Sequence, residues 1–444
     1  MTTQPQNRLK KIAWKIINDA LLAVDPSIAV KNYFGANPAV VEQIKATPGH
    51  VFVVGAGKAG APMSAAVMEI FGEKITAGRV IVKYDHLGDE GISLGAIKLI
   101  EAGHPVPDEA GLAGAREIAQ LLSQTTEQDA VICLFSGGGS ALLTLPAEGL
   151  TLADLQATTQ ALLSAGATIN QVNTIRKHLS AVKGGGIARL AAPASVYTLI
   201  LSDVVGDPLE VIASGPTVPD PTTFADVWGL IEQFELQDTL PQAVTQRLQA
   251  GLNGDLPDTP KSGNSIFKRV SNTIIGSNRI AAQAAVESAQ AAGFNAQLLT
   301  TFIEGEAREV GRVVAGLAKG MARDEGTLKR PACLVLGGET TVTLKGNGKG
   351  GRNQEMALSA AVALAGWENL LVVCLGTDGT DGPNDAAGAF ADGATINRAE
   401  ALGMDALDFL QRNDSYNFFA PLDDLIITGP TNTNVNDLTI ILVN

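Results

Sequence analysis

The sequence predicts an α/β fold with two domains and mainly parallel sheets. Short apolar runs rich in Val, Ile and Leu alternate with helical segments, which is the pattern of βαβ units. Glycine-rich turns follow several of these runs, as in VFVVGAGKAG at residues 51–60. The chain has 444 residues, more than one hydrophobic core usually serves. Together these three observations favour two Rossmann-like α/β domains.

The opening segment predicts an amphipathic helix. Apolar residues recur there at helical spacing and the lysines fall off the stripe: Leu9, Ile12, Ala13, Ile16, Ile17, Ala20 and Leu21 against Lys10, Lys11 and Lys15. The segment lacks the apolar region of a signal peptide. No stretch approaches ~18 uninterrupted apolar residues, so no membrane span is expected. We therefore expect a cytoplasmic protein.

The elements that follow alternate regularly. Strand-like runs of the first half are HVFVVGAG, GRVIVKY, AVICLFSGGGS and SVYTLILSDVVGD. Helical segments separate them, and Asp108 is placed to cap the helix that contains GLAGAREIAQLL. Proline, glycine and polar residues dominate 216–268, after which the alternation resumes and ends on DLTIILVN. We expect an N-terminal domain over 1–240, a connection over 241–265 and a C-terminal domain over 266–444; alternatively, the last strand returns to pair with the first.

The composition excludes some partners. The chain carries 32 Lys and Arg against 46 Asp and Glu, a formal net charge of −14. This charge repels nucleic-acid phosphates and anionic membrane surfaces, so we expect neither as a partner. An anionic small-molecule substrate would therefore need a local basic pocket. The oligomeric state is left open, with a homodimer as the working hypothesis.

The first glycine-rich loop, GAGKAG, is compatible with two kinds of ligand. Gly55, Gly57 and Gly60 fit the dinucleotide fingerprint, which needs an acidic residue at the end of the second strand to bind ribose. That strand ends in Lys83 and Tyr84, and Asp85 comes late. Lys58 sits inside the loop, where it could meet a phosphate or a carboxylate; the alternative is a solvated lysine.

Two further glycine-rich turns favour an anionic ligand. Exposed backbone N–H groups of such turns bind phosphate or carboxylate, which makes the second loop a candidate phosphate site: Ser136, Gly137, Gly138, Gly139 and Ser140. The third turn ends in Glu339. It is followed by KGNGKGGRNQE, in which Arg352 can offer a planar fork to phosphoryl oxygens. The alternatives are a basic surface loop and a salt bridge between Arg352 and Glu339.

Aspartates follow two strand-like runs. In GTDGTDGPND, Asp378 and Asp381 are candidate magnesium ligands, because Mg²⁺ is usually held by one or two carboxylates plus water and substrate oxygens. Ordinary turns, however, are also rich in Asp and Gly. Asp203 ends LILSD, where it could act as a catalytic base or merely cap a helix.

Three basic residues are candidate ligands of the substrate. Arg176 and Lys183 lie seven positions apart in NTIRKHLSAVKGGG, on one predicted helix face. They could form the local basic pocket, or a solvated charged face. His104, in the loop GHPVPD, could touch a ligand, although a structural role is equally compatible with the sequence.

Taken together, these motifs resemble the glycerate 2-kinase family. The stretches that carry the resemblance occur in order along nearly the whole chain: VVGAGKAG, GHPVPD, LFSGGGSALL, NTIRKHLSAVKGGG, LSDVVGDPLEVIASGPTVPDPT, LGGETTVTLKGNGKGGRNQEMAL and GTDGTDGPNDAAGA. Members have a kinase-family domain followed by a domain called MOFRL. Some members have been labelled hydroxypyruvate reductases.

The resemblance implies transfer of the ATP γ-phosphoryl group to the 2-hydroxyl of D-glycerate, with Mg²⁺, in a cleft between two α/β domains. It makes Lys58 and Arg352 active-site residues. General requirements of phosphoryl transfer suggest the remaining roles: loop 136–140 for anionic oxygens, Asp378 and Asp381 for Mg²⁺, and Asp203 as base.

Two other functions remain open. An NAD(P)H-dependent reductase would explain the glycines but not the missing ribose-binding acid or the second basic loop. A non-catalytic sugar-acid sensor would need a basic cleft but has no evident use for the aspartate loop. A kinase explains the lysine in the first glycine-rich loop, the arginine after the third and the aspartates in GTDGTDGPND.

Overall fold

The computed structural model describes residues 4–88 and 91–444, which form two compact units. The seven-stranded domain comprises residues 26–202 and 207–275. The six-stranded domain comprises residues 4–25, 203–206 and 276–444. The first helix, α1 (Gln4–Ala23), belongs to the six-stranded domain.

The seven-stranded domain has a sheet whose strands, within the described residues, are β1 Val51–Ala56, β2 Ile75–Lys83, β3 Ser93–Leu94, β4 Ile97–Ala102, β5 Ala130–Phe135, β6 Ser195–Leu201 and β7 Val270–Gly276. Its helices are α2 Pro26–Ala36, α3 Pro38–Lys45, α4 Gly60–Phe71, α5 Glu109–Leu122, α6 Gly139–Leu142, α7 Leu152–Ser164, α8 Ile169–His178, α9 Gly186–Ala191, α10 Phe224–Gln233 and α11 Gln242–Leu252. Short 3₁₀ turns are Gly72–Lys74, Ile212–Ser214 and Ser265–Arg269.

The strand order of this sheet is β3-β4-β2-β1-β5-β6-β7. Strands β4, β2, β1, β5 and β6 each run parallel to the next in that order. β1 and β5 are buried along their whole length, as expected for central strands covered on both faces. The chain builds β2 and β4 on one side of β1 and then crosses to β5 on the other side. This reversal is a topological switch point between β1 and β5.

The six-stranded domain has, within the described residues, the strands β8 Asn295–Ile303, β9 Ala332–Gly338, β10 Leu370–Gly376, β11 Gly388–Ala391, β12 Leu425–Ile426 and β13 Asp437–Val443. Besides α1, its helices are α12 Asn278–Ala291, α13 Ala307–Ala322, α14 Arg352–Leu364, α15 Thr395–Ala401, α16 Ala406–Gln411 and α17 Ser415–Phe419, with a 3₁₀ turn at Ala420–Leu422. Helices α13 and α14 pack together over a core that includes Met356, Leu364 and Phe418.

The α/β class is confirmed, but the second sheet is mixed rather than mainly parallel. Its order is β12-β11-β10-β13-β9-β8, and β13 runs antiparallel to both β9 and β10. The last strand therefore pairs inside its own domain and not with the first strand. Every residue of β13 is buried, and a position at the centre of a sheet gives such a strand two hydrogen-bonded neighbours.

The two compact units also differ from the domain limits that the sequence predicts. Helix α1 packs against α12 of the six-stranded domain, where its stripe residues Ala13, Ile16 and Ile17 are fully buried. Strand β7 extends the seven-stranded sheet beyond residue 266. In both places, contacts between segments far apart in the sequence decide which domain an element joins. Local composition carries no information about such contacts.

Candidate functional site

The two glycine-rich loops of the seven-stranded domain meet at its switch point. Loop 57–59 follows β1 and loop 136–140 follows β5, the neighbouring parallel strand. The backbone N–H of Lys58 donates to the carbonyl of Gly137 at 2.9 Å, and that of Ala59 donates to Ser136 Oγ at 3.0 Å. Ligands of open α/β sheets bind at such reversals, outside the carboxyl ends of the strands.

Glycine is required in the first loop for a steric reason. Gly57 has φ +147°, and a Cβ at this position would lie 2.0 Å from Ser136 Oγ. A side chain would therefore push the two loops apart. Ser136 is buried, and its hydroxyl accepts from Ala59 in a contact that joins the loops; its contact with a phosphate stays a prediction.

Cationic and imidazole side chains gather beside these loops. His104, after β4, lies 3.0 Å from the position that a Cβ on Gly138 would occupy, and Lys58 Cγ lies 3.6 Å from it. The pKa of His104 is lowered to about 4, mainly by burial and also by the positive charges of Lys58 and Lys83, with a contribution from His86. We call Lys58, Lys83, His86 and His104 the cation cluster.

The sequence reasoning found two members of the cation cluster and missed the other two. In the sequence, Lys83 served only as evidence against a ribose-binding acid at the end of the second strand. His86 has no spacing to other residues that is typical of a metal site or a catalytic triad. Both follow from the parallel sheet, because Lys83 ends β2 and His86 comes three residues later, next to the loops after β1 and β4. Their position at the carboxyl end of a strand, next to a glycine-rich loop already recognised in the sequence, could have identified them.

Lys183, whose contact with the substrate stays a prediction, contacts the second glycine-rich loop. Its side chain is buried, and Nζ donates to the carbonyl oxygens of Ser140 at 2.6 Å and Leu143 at 2.9 Å. The pKa of Lys183 is lowered to about 7, mainly by burial and to a smaller extent by the charge of Arg176. Lys183 therefore supports the second loop from beneath.

Arg176 is half-buried on α8 close to Lys183. Burial lowers the pKa of its guanidinium. Its Nε donates to Thr159 Oγ1 at 3.4 Å, and in the described part of the chain no carboxylate lies within salt-bridge distance of it. A partly buried guanidinium without a carboxylate is suited to an anionic ligand.

In the six-stranded domain, Arg352 is paired with two carboxylates. Nε and Nη2 donate to the two oxygens of Asp437 at 2.6 and 2.9 Å, and Nη1 lies 3.1 Å from Glu339 Oε1. Burial alone would lower the pKa of the guanidinium, but these ion pairs raise it. The salt bridge with Glu339, an alternative at the sequence level, is present, and the contact of Glu339 with phosphate stays a prediction.

Asn436 links this ion-pair network to Asp203. Its Nδ2 donates to Glu339 Oε2 at 2.8 Å and to the backbone carbonyl of Asp203 at 2.9 Å. The structure therefore brings Asp203, Glu339 and Arg352 into one polar cluster, as the order of motifs along the chain alone could not show. Asn436 was missed because its sequence, TNTNVND, reads as an ordinary turn.

A cavity of about 920 Å³ opens beside Arg352 within this domain. It is lined by Val205, Glu304, Glu339, Thr340, Thr341, Val342, Leu344, Gly346, Asn347, Gly348, Gly350, Gly351, Arg352, Glu355, Asp381, Gly382, Pro383 and Asn413. Such a volume is typical of sites for cofactor-sized ligands. Its glycine-rich wall leaves backbone groups accessible.

The predicted magnesium ligands are not equivalent. Asp381 is buried, and its carboxylate accepts from the backbone N–H groups of Asn353 at 3.1 Å and Gln354 at 2.8 Å, at the start of α14. Burial raises the pKa of Asp381 to about 6. This carboxylate caps α14, and its role as a magnesium ligand stays a prediction. Asp378 is half-buried, and its Oδ1 accepts from Thr380 N at 3.0 Å.

The described residues contain no group of three or more His, Cys, Asp or Glu side chains arranged to hold a metal ion. Nor does any helix in the described ranges have the length and hydropathy needed to span a membrane.

Comparisons with known protein families first define the class of protein to which the chain belongs. Residues 12–249 match a family described as a domain of unknown function (DUF4147), and residues 332–437 match the MOFRL family. The two matches fall in the two halves of the chain and define a two-domain α/β protein of the DUF4147–MOFRL type.

Full-length relatives narrow this class. The chain is 44% identical to D-glycerate 2-kinase of Thermotoga maritima, over 98% of both chains. It is 42% identical to a putative hydroxypyruvate reductase of Agrobacterium vitis, over 98% of this chain and 94% of that one. The crystal structure of a glycerate kinase from Thermotoga maritima matches with a TM-score of 0.90 at 43% identity, over 99% of this chain and 100% of that one. The chain belongs to the glycerate 2-kinase family.

Proposed function

We propose that this protein transfers the γ-phosphoryl group of ATP to the 2-hydroxyl of D-glycerate and releases 2-phosphoglycerate. The observation that carries the proposal is the cation cluster beside two joined glycine-rich loops at a topological switch point. An acidic chain needs such a local basic site to bind an anionic substrate. The names of the full-length relatives supply the reaction.

The seven-stranded domain offers groups for the anionic parts of the reactants. Lys58 lies beside loop 136–140, whose glycines allow close approach of oxygens, and Lys83 adds positive charge near His104. Arg176 has the fork geometry that suits a carboxylate, so we assign it to the carboxylate of glycerate. His104, neutral at physiological pH, can donate one hydrogen bond without adding charge.

The six-stranded domain offers a site for the nucleotide. The cavity beside Arg352 has the volume for it, and Arg352 is held in one orientation by Asp437 and Glu339. A fixed guanidinium can stabilise charge that develops on transferred oxygens without reorganising. Asp203 stays our proposed base for the 2-hydroxyl; the hydrogen bond from Asn436 to its carbonyl fixes its backbone.

Mg²⁺ is proposed as part of the ATP complex. Of the two predicted ligands, Asp381 is committed to α14 and only Asp378 has a partly exposed carboxylate. This donor set fits an ion held mainly by nucleotide oxygens and water, with Asp378 as a single protein contact. When bound, the ion would neutralise charge on the phosphates.

The alternative, an NAD(P)H-dependent hydroxypyruvate reductase, draws support from the label of the Agrobacterium vitis relative. The end of β2 argues against it. A dinucleotide site needs a carboxylate there to bind the ribose hydroxyls. In this chain Lys83 occupies that position, and it contributes positive charge to the cation cluster.

A coupled assay tests the reaction and its product. Purified protein with ATP, Mg²⁺ and D-glycerate should release ADP, and enolase added alone should then form phosphoenolpyruvate. A requirement for phosphoglycerate mutase would show that the 3-hydroxyl was phosphorylated. A parallel reaction with hydroxypyruvate and NADH or NADPH should show no oxidation; oxidation without ADP release would establish the reductase.

Replacing Lys58 tests the site. Lys58→Met should lower kcat/KM for glycerate by at least about 100-fold, the order expected when a charge-stabilising contact is lost. Lys98→Met is the matched control, because Lys98 lies on β4 of the same domain in an exposed pair with Glu117, 3.1 Å away. Near-normal activity of Lys58→Met, with the control unchanged, would remove Lys58 from the mechanism.

The assembly and the compartment are proposals of the same kind. Light scattering of the purified protein would test the homodimer, and fractionation of the source cells would test the cytoplasmic location.

A further inference from the structure

A chain of three polar side chains runs inward from the second glycine-rich loop. Ser140 Oγ lies 2.7 Å from Ser214 Oγ, and Ser214 Oγ donates to Asn173 Oδ1 at 3.4 Å. Ser214 is 0% exposed and Asn173 5% exposed, whereas Ser140 is half-buried. The buried end of the chain is therefore closed and the open end is the hydroxyl of Ser140.

The direction of the hydrogen bonds follows from the amide oxygen at the buried end. An amide oxygen can only accept, so the hydroxyl of Ser214 uses its single proton on Asn173. Ser214 Oγ must then accept from Ser140, which uses the single proton of that hydroxyl too. Ser140 is left with lone pairs and no proton to offer. Toward a ligand it is an acceptor, suited to a hydroxyl donor and not to a phosphate oxygen.

The backbone at Ser214 is held in an uncommon conformation. Ala213 and Ser214 have φ +51° and +62°, in the left-handed region that non-glycine residues rarely adopt. Such residues are energetically unfavourable and cluster at functional sites. The carbonyl of Ser214 accepts from Gly184 N at 2.9 Å, next to Lys183. The fold thus maintains a strained turn that points a serine hydroxyl at Ser140.

The open end of the chain lies among the groups already assigned to the substrate. Ser140 is two residues from Gly138, which adjoins His104 and Lys58, and its carbonyl accepts from Lys183, close to Arg176. A ligand there would have an anionic group for the cations and a hydroxyl proton for Ser140. A 2,3-dihydroxy acid has both.

We propose that Ser140, oriented by Ser214 and Asn173, accepts a hydrogen bond from the 3-hydroxyl of D-glycerate, the hydroxyl that is not phosphorylated. The proposal rests on the proposed function and makes Ser140 a specificity residue. It selects glycerate over 2-hydroxy acids that lack the second hydroxyl. A site that hydrogen-bonds a substrate hydroxyl discriminates strongly against analogues without it, because its polar group is then left unpaired.

D-Lactate is the matched probe, because it keeps the carboxylate and the 2-hydroxyl and lacks only the 3-hydroxyl. The wild type should prefer D-glycerate over D-lactate by at least about 100-fold in kcat/KM. Ser140→Ala should lose ten- to a hundredfold more activity toward glycerate than toward lactate, so that the preference collapses. Ser214→Gly, which tolerates the left-handed backbone and lacks the hydroxyl, should reduce the preference in the same direction.

A merely structural role for the three residues would lower both activities by the same factor, and that result would overturn the proposal. A wild type without preference would overturn it as well. Failure of the proposed function is distinguishable, because the wild type would then phosphorylate neither acid. In that case calorimetric titration of D-glycerate and D-lactate into the wild type and into Ser140→Ala decides the inference. The wild type should bind D-glycerate more tightly than D-lactate, and Ser140→Ala should lose most of this difference. If each protein bound the two acids with equal affinity, the inference would be refuted.

Discussion

The ion pair between Arg352 and Asp437 predicts an asymmetry between two substitutions. Arg352→Met leaves Asp437, whose side chain is 6% exposed, buried without its cation. Asp437→Asn leaves Arg352, whose side chain is 34% exposed, with Glu339 still 3.1 Å away. Removing one partner of a buried pair costs about 3–5 kcal/mol, most of it from the charge left behind. We expect Arg352→Met to lower the free energy of unfolding by about 3 kcal/mol, and Asp437→Asn to lower it by about 1 kcal/mol.

The pH dependence has a defined sign. Burial raises the pKa of Asp437 above its usual value, and without Arg352 the pKa must rise further. A folded-state pKa above the unfolded one means that the folded state binds more protons between the two values. The deficit of Arg352→Met in the free energy of unfolding should therefore be largest at alkaline pH and shrink as the pH falls, because protonation of Asp437 removes the buried charge.

Urea unfolding measures the effect in the right domain. Of the three tryptophans, Trp14 and Trp367 belong to the six-stranded domain and Trp228 to the other, so a Trp228→Phe background reports on the former. Arg330→Met is the control, because its ion pair with Asp324 is exposed to solvent and should contribute little to the free energy of unfolding. A cost of Asp437→Asn equal to that of Arg352→Met, or a deficit independent of pH, would refute the reasoning.

Two further predictions concern the seven-stranded domain. Nuclear magnetic resonance should find the pKa of His104 at about 4 in the free protein, and saturating D-glycerate should raise it, because an added anion stabilises the imidazolium; an unchanged pKa would place the ligand elsewhere. Thr151→Ala should lower the free energy of unfolding by about 1 kcal/mol, because Thr151 and Asp154 form a capping box at the start of α7; Trp228 fluorescence in urea checks it, and a loss below about 0.3 kcal/mol would contradict it.

Local features of the fold could be predicted because they depend on residues close in sequence. The apolar stripe of the opening segment forms part of α1, and Asp108 caps α5 by accepting from Gly111 N at 2.9 Å. The glycine-rich turns lie at the carboxyl ends of β1 and β5. A short-range pattern of hydrophobic period, capping residues and glycine is sufficient for such features.

The candidate site was predictable only in part. Lys58 and His104 were found because each stands in a loop after a strand-like run. Lys83 and His86 join them only once β2 is known to lie between β1 and β4. Asp381 has the sequence of a metal ligand, and only the position of α14 shows that its carboxylate caps a helix.

By itself, the sequence determined the α/β class, the family resemblance, and the loops in which chemistry is expected. Only the tertiary structure decided which side chains meet. It placed β13 between β9 and β10, paired Arg352 with Asp437, and set the Ser140 hydroxyl against Ser214. The physical reason is that these contacts join segments far apart in the chain, where periodicity and propensity carry no information about distance or direction. The direction of the hydrogen bond between Ser140 and Ser214 depends on the assembled site alone. It decides whether Ser140 donates a hydrogen bond to a ligand or accepts one from it.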